Sequence, residues 1–235
     1  MRTISMILSL FLSLFLSLIL SFFLSSNLVF ATPTDPVNDK EYITLKTPQP
    51  VPEGKKIEVI EFFMYHCPAC NMLDAPLDTW VKKQGDHISF KRIHVPRKGP
   101  NDVESHLFLT LQALNKEDAL HKEVLKTWHE KRIQLQTDDK NIDWAVQNGI
   151  DKDKFVEAYN SFSVDSKLKD LSRIVANYQV ESTPTIVVDG RYQTNMARVS
   201  ENNPDIARDK LAEATLQVVS ALIEKARANK VAAKP

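Results

Sequence analysis

The sequence has only two cysteines among its 235 residues, and they are three positions apart, at Cys67 and Cys70. A disulfide across so short a loop removes little entropy from the unfolded chain, so it would stabilise the fold only slightly. A structural zinc ion usually takes four protein ligands, and no second cysteine pair is present to supply them. The pair therefore indicates reactive thiols, and we expect no bound metal.

The chain also lacks an excess of either charge, because 30 Lys and Arg residues balance 30 Asp and Glu residues. A balanced chain produces no strong electrostatic field, which argues against nucleic acid as a partner. The only apolar run long enough to span a bilayer lies at residues 4–24, after Arg2. With cleavage after Ala31, residues 1–31 are typical of a secretory signal peptide, and a retained membrane anchor is the alternative. Both interpretations place the rest of the chain in an oxidising, exported location.

Strand and helix patterns alternate after this segment. Residues 56–65 form an apolar, β-branched run that predicts a buried strand, and residues 87–95 predict a second strand. Residues 71–83 lie between them and carry an apolar stripe at helical spacing, with Pro76 expected to kink the helix. A helix that connects two strands favours a parallel, right-handed pair. A shorter strand at residues 42–46 is expected at the sheet edge.

The second half of the chain has a different pattern. Strands are predicted at residues 185–188 and 191–194, joined by an Asp189-Gly190 hairpin turn, and a last helix is predicted from Pro204 or Asp205 to Ala228. Five amphipathic stretches precede them, at residues 103–114, 116–130, 142–148, 152–162 and 166–178.

These patterns predict an α/β protein with a mixed sheet flanked by helices and an inserted all-helical subdomain. The first half of the sheet domain is expected at residues 32–101, the helical insertion at 102–178 and the second half at 179–228. A flexible tail is expected at residues 229–235.

The motif Cys67-Pro68-Ala69-Cys70 directly follows the buried strand and opens the helix. Backbone N–H groups without partners and the positive end of the helix dipole both favour a thiolate at Cys67. Pro68 suits the first helical position because it has no N–H to leave unpaired. Cys70 follows one turn later and is expected to lie partly beneath. We therefore predict Cys67 as the nucleophile and Cys70 as the resolving thiol.

Three further residues near this motif are candidates for the site. Glu61 is a lone acid in an apolar strand, so we expect a buried carboxyl with a raised pKa that relays the proton of Cys70; a solvent-facing side chain is the alternative. Arg92 or Lys91 on the next strand is expected to compensate its charge. His66 is either a cation that stabilises the Cys67 thiolate or an exposed residue on the substrate surface.

The dipeptide Thr183-Pro184 precedes a predicted strand. Read alone, Pro184 predicts an ordinary trans bond. Beside the dithiol, a cis bond would leave the backbone of Thr183 free to pair with an extended peptide. The other histidines considered, at positions 87, 106, 121 and 129, are predicted at the surface or partly buried, and the three tryptophans are expected in the core.

Two segments, VIEFFMYHCPACNMLDAPL and STPTIVVDGRY, with the helical block between them, resemble the DsbA family of bacterial periplasmic oxidoreductases. The resemblance extends from Tyr42 to Ala228 and implies a thioredoxin fold. It also implies roles for Cys67 as nucleophile, Cys70 as resolving cysteine, Glu61 as buried acid and Pro184 as cis-proline.

Members of this family oxidise newly exported proteins and are reoxidised by a membrane quinone reductase of the DsbB type. The resemblance thus implies a monomeric periplasmic oxidase without a cofactor. Three features depart from the family pattern: Pro-Ala replaces Pro-His between the cysteines, Thr183 replaces a common Val, and Pro76 is placed as in thioredoxin. They leave a reductase or isomerase open as an alternative. A non-catalytic module that binds peptides is a further alternative, although the two cysteines, Glu61 and Pro184 together argue against it.

Overall fold

The structure is a computed structural model that describes residues 32–232. The predicted signal peptide at residues 1–31 lies outside the described residues. No helix within residues 32–232 has the length and apolar character needed to cross a lipid bilayer.

A mixed sheet forms the centre of the fold, with the strand order β1-β5-β4-β2-β3. The strands are β1 (Ile43–Thr44), β2 (Ile57–Phe63), β3 (Ile88–His94), β4 (Thr185–Val188) and β5 (Tyr192–Asn195). As predicted, β2 and β3 are parallel, while β4 pairs antiparallel with β2 and β5. The predicted edge strand is reduced to the two residues of β1, which pair with β5.

Helices flank this sheet and form the insertion between β3 and β4. They are α1 (Pro68–Gln84), α2 (Val103–Ala113), α3 (Glu117–His129), α4 (Asp138–Gln147), α5 (Lys152–Tyr159), α6 (Phe162–Asn177), α7 (Met196–Asn202) and α8 (Leu211–Ala232). Helices α2–α6 correspond to the five amphipathic stretches, and α1 continues through Pro76. The expected fold class is confirmed.

Two helices begin four residues earlier than predicted. The first turns of α4 and α6 are largely polar or exposed, so the apolar stripe becomes visible only later. Thr137 and Ser161 cap these helices, and their hydroxyls accept hydrogen bonds from the backbone N–H groups of Lys140 and Val164.

The C-terminal region differs from the predicted pattern in its helices. Helix α7 was not predicted, although Asn195 caps it by accepting a hydrogen bond from the N–H of Arg198 at 2.8 Å. The last helix begins at Leu211 and continues to Ala232, so its predicted start at Pro204 or Asp205 and its predicted end at Ala228 are wrong. Beyond the predicted end, polar contacts hold the last turn of α8: Asn229 donates to the hydroxyl of Tyr192 at 2.6 Å, and Lys230 pairs with Asp189 at 2.8 Å.

Strand β2 is buried along its whole length. On one face Ile57 and Val59 pack with α1 and α8, and on the other Ile60 and Phe62 pack with Tyr178. The end of β2 enters the helical insertion, whose core contains Phe63, Tyr65 and Cys70. The dithiol therefore lies where the sheet and the insertion meet.

The Asp189-Gly190 turn confirms the hairpin. Both residues have positive φ, 53° and 59°, which matches the favoured two-residue hairpin turn. A Cβ atom at Gly190 would lie 2.3 Å from the backbone oxygen of Gln49, so this close approach requires glycine.

Candidate active site

Cys67 is the N-cap residue of α1, with Pro68 in the first turn. Its sulfur accepts a hydrogen bond from the backbone N–H of Cys70 at 3.4 Å. The Cys67 sulfur also lies 3.4 Å from the backbone oxygen of Thr183, to which it donates a hydrogen bond when it is protonated. The helix starts three residues before the predicted stripe because Pro68 and Cys67 provide a complete helix start.

The two thiols differ sharply in acidity. The hydrogen bond with the Cys70 side chain, together with Thr183 and the backbone N–H groups of Cys70 and Ala69, lowers the pKa of Cys67 to about 5 against the effect of burial. Cys70 is 2% exposed, and burial raises its pKa far above the usual range, helped by its contact with Cys67. At neutral pH Cys67 is therefore a thiolate and Cys70 a thiol.

Glu61 is 2% exposed, so the solvent-facing alternative is wrong. The parallel register of β2 and β3 places it opposite Arg92, whose Nε donates to Glu61 Oε2 at 3.0 Å. Burial raises the pKa of Glu61 despite the opposing charges of Arg92 and His121. Of the two candidate cations, Arg92 is the partner, while Lys91 pairs with Glu58 at 2.7 Å.

Sequence reasoning missed a buried group of charged residues around Arg92. Its guanidinium lies 3.5 Å from Asp74, 3.6 Å from Asp78 and 3.8 Å from Glu117. His121 is 3% exposed, with Nε2 3.3 Å from Asp74 and Nδ1 3.4 Å from Glu117. The prediction that His121 lies at the surface or is only partly buried is wrong, because the insertion covers α1 with α3. The i, i+4 spacing of Glu117 and His121 was the only local sequence pattern that indicated a contact within this group.

His66 is half-buried and turns toward α2. Its Nδ1 lies 2.9 and 2.8 Å from the two carboxylate oxygens of Glu104, and its backbone N–H also donates to Glu104. This hydrogen bond raises the pKa of His66. Arg97 Nη1 lies 3.3 Å from His66 Nε2. Neither Glu104 nor Arg97 was predicted, because both come from segments distant in the sequence.

The Thr183-Pro184 peptide bond is cis. Pro184 is buried and Thr183 is half-buried, with its carbonyl directed at the Cys67 sulfur. The structure thus brings Cys67, Cys70, Glu61, His66, Thr183 and Pro184 to one end of the sheet. Within residues 32–232, no group of three or more His, Cys, Asp and Glu side chains is arranged to hold a metal ion.

A thioredoxin-type sheet whose central strand leads into a helix capped by a free, acidic cysteine defines a dithiol redox protein. Comparisons with known proteins identify the family. The family model described as a DSBA-like thioredoxin domain matches residues 58–211.

Named relatives agree with this match. The chain is 37% identical over 175 residues to the thiol:disulfide interchange protein DsbA of Burkholderia cepacia, covering 74% of this chain and 82% of the relative. It is 33% identical over 196 residues to DsbA of Azotobacter vinelandii, covering 83% of this chain and 87% of the relative.

The crystal structure of Pseudomonas aeruginosa DsbA is also similar, with a TM-score of 0.73 and 32% identity, covering 83% of this chain and 97% of that chain. The protein belongs to the DsbA-like thioredoxin-domain family and is a thiol:disulfide oxidoreductase.

Proposed function

We propose that this oxidoreductase introduces disulfide bonds into exported proteins, with Cys67 as nucleophile and Cys70 as resolving thiol. The contrast between the two thiols carries the proposal. Stabilising the Cys67 thiolate stabilises the reduced form, and a protein with a stabilised reduced form is a stronger oxidant.

The reaction begins from the Cys67–Cys70 disulfide. A substrate thiolate attacks Cys67, forming a mixed disulfide and releasing Cys70 as a thiolate, which takes up a proton because its pKa is strongly raised. Glu61 is the proposed proton donor to Cys70, since burial raises its pKa and so favours its protonated form. A second substrate thiolate then attacks the substrate sulfur of the mixed disulfide and releases Cys67, a good leaving group, as a thiolate.

Thr183, Pro184 and His66 form the proposed substrate-binding surface. The Thr183 carbonyl is next to the reactive sulfur, so an extended peptide can pair with this backbone while its cysteine reaches Cys67. His66 lies next to Cys67 in the chain and is half-exposed on the same surface.

The proposed setting follows from the signal-like residues 1–31 and from the family resemblance. The substrates are unfolded or folding exported proteins in the periplasm, and a membrane quinone reductase of the DsbB type reoxidises the dithiol. We propose that the protein acts as a monomer.

The redox equilibrium of the Cys67–Cys70 pair tests the direction of electron flow. The purified protein is equilibrated with a glutathione buffer series, and free thiols are counted by an alkylation gel shift. We expect a potential near about −120 mV, as in strong oxidants, and a value near about −270 mV, as in thioredoxin, would assign a reductase instead.

A second experiment separates a catalyst from a peptide-binding module. With Cys70→Ser, the Cys67 thiolate should attack disulfide-bonded substrates, release one substrate thiolate and remain attached to the other sulfur as a mixed disulfide, because the resolving thiol is gone. Cys67→Ser is the matched control and should trap none. An absence of mixed disulfides in Cys70→Ser would support the binding module.

A further inference from the structure

A cavity of about 470 Å³ opens beside the dithiol. Its wall is built by the segment after β3, the start of α2, and the end of α3 with the loop that follows. Residues that line it include His66, Arg97, Lys98, Glu104, Trp128 and Gln134. Because His66 directly precedes Cys67, this cavity is adjacent to the reactive sulfur.

The acidic residues in the cavity wall already accept hydrogen bonds from neighbouring groups of the protein. Asp102 is the N-cap residue of α2 and accepts hydrogen bonds from the backbone N–H groups of Ser105 at 2.8 Å, Arg97 at 3.0 Å and Lys98 at 3.2 Å. Glu104 accepts from the ring and the backbone N–H of His66. Both carboxylates are buried, so they contribute little acceptor capacity to the open volume.

The donors in the wall remain available. Arg97 and Lys98 are exposed, and neither forms a salt bridge within residues 32–232. A guanidinium has five N–H donors, and here its one side-chain contact is with Nε2 of His66. Gln134 and Gln136 add amide groups whose side chains make no hydrogen bonds with the described residues.

The contact with His66 also orients Arg97. Glu104 holds the His66 ring through Nδ1, and the ring packs against Trp128 with centroids 5.9 Å apart. Nε2 of this fixed ring then meets Nη1 of Arg97. An oriented guanidinium presents a planar pair of donors, which matches the two oxygens of a carboxylate.

We infer that this cavity, the carboxylate pocket, binds an acidic side chain of the substrate near the cysteine that reacts with Cys67. The inference rests on the proposed function and names a feature of its substrates. The Thr183 carbonyl contacts the Cys67 sulfur, and His66 in the pocket wall directly precedes Cys67, so we expect one extended peptide bound at Cys67 to reach both. At about 3.3 Å per extended residue, the acidic residue belongs about two to four positions from the reactive cysteine. Arg97 and Lys98 are the binding residues, and Glu104 is a positioning residue.

The test uses reduced peptides that contain two cysteines. They are made in pairs, and the two members of a pair differ only in carrying Glu or Gln at one position. That position is varied from two to four residues before or after the first cysteine. The oxidised protein is mixed with each peptide, and the rate constant of peptide oxidation is measured. We expect a Glu-to-Gln rate ratio of about five at the best position, the size of an exposed, well-oriented charge pair. The ratio should fall to about one in Arg97→Gln and decrease in Lys98→Gln.

Arg191→Gln is the matched control. Arg191 is also exposed and without a salt bridge within the described chain, but it follows the hairpin turn at the other end of β4. This variant should keep the ratio of about five. Equal rates for Glu and Gln peptides at every position, or a ratio that survives in Arg97→Gln, would overturn the inference while leaving the oxidase function intact. If neither peptide is oxidised, the proposed function itself is wrong, and the inference falls with it.

Discussion

Two ionic networks flank the dithiol, and they use similar residue types in different surroundings. The buried network comprises Glu61, Asp74, Arg92, Glu117 and His121. The rim network comprises Glu104, His66 and Arg97. Both networks contain carboxylate, histidine and arginine side chains. The buried network lies between α1, α3 and β3, whereas the rim network borders the carboxylate pocket.

The comparison shows that burial decides what such a network can do. In the buried network Arg92 forms salt bridges with Glu61, Asp74 and Glu117, so its charge is compensated internally and opposes the rise in the pKa of Glu61 that burial causes. In the rim network Arg97 keeps donors for a ligand because only His66 contacts its side chain. The expected outcomes below separate these two roles.

Arg92→Met should have the largest effect. Removing the cation leaves Glu61 and its neighbours as buried, uncompensated carboxylates, at a cost of about 3–5 kcal/mol in the free energy of unfolding measured by urea denaturation. The pKa of Glu61 is already raised in the folded state, and the loss of Arg92 raises it further. The variant should therefore be most stable at low pH and lose stability as pH rises through that pKa.

Arg173→Met is the control for this change. Arg173 pairs with Asp170 at 3.1 Å on an exposed face of α6, and exposed pairs contribute at most about 1 kcal/mol. Similar losses in both variants would mean that the buried network is not a special determinant of stability.

Glu61→Gln should slow the step that uses Cys70. A glutamine is close in size but supplies no proton, so the rate of mixed-disulfide formation from the oxidised protein should fall about ten-fold or more in stopped-flow measurements. The pKa of Cys67 should change little, because Glu61 is not among the groups that determine it. Unchanged kinetics in this variant would remove Glu61 from the proton path.

The Cys67 thiolate should make the stability of the reduced protein depend on pH. The sign of this dependence should be opposite to that of the pH dependence that Glu61 contributes. Cys67 has a pKa of about 5 when folded and about 8.5 when unfolded, so its thiolate stabilises the folded state fully above about pH 8.5. This contribution declines as pH falls and is lost through about pH 5. The melting temperature of the reduced form, relative to the oxidised form, should therefore drop by several degrees across this range.

Cys67→Ser provides the comparison for the pH series. Without the thiolate, the variant should lose this dependence while retaining the contribution of Glu61. If the wild-type protein shows no difference between its two redox forms, the Cys67 thiolate is not stabilised by folding.

Glu104→Gln should have the smallest effect on the fold. The hydrogen bond that Glu104 accepts from the His66 ring is the main cause of the raised pKa of His66, so this pKa should fall in the variant when followed by NMR titration. Stability should change by about 1 kcal/mol or less, since His66 is half-exposed. An unchanged His66 pKa would show that Glu104 does not hold the ring in solution.

Much of the fold was predictable from local patterns. The buried run of β2, the alternation of β3 and the Asp-Gly turn between β4 and β5 each follow from a period or a turn preference. The start of a helix with a polar first turn, as in α4, was mispredicted, and the short helix α7 was missed. Neither segment carries an apolar stripe of its own. Cys67, Cys70 and Glu61 were predictable because a single strand–helix junction contains all three.

The sequence by itself determined the parallel pairing of β2 and β3 and the capped helix start at Cys67, since these depend on neighbours close in the chain. Only the tertiary structure decided that Arg92, His121 and Asp74 meet beneath the dithiol and that Arg97 and Glu104 meet beside it. Those partners are separated by up to tens of residues in the chain, and the packing of the insertion onto α1 brings them together. Electrostatic interactions depend on distance in space and on burial, which no local pattern encodes.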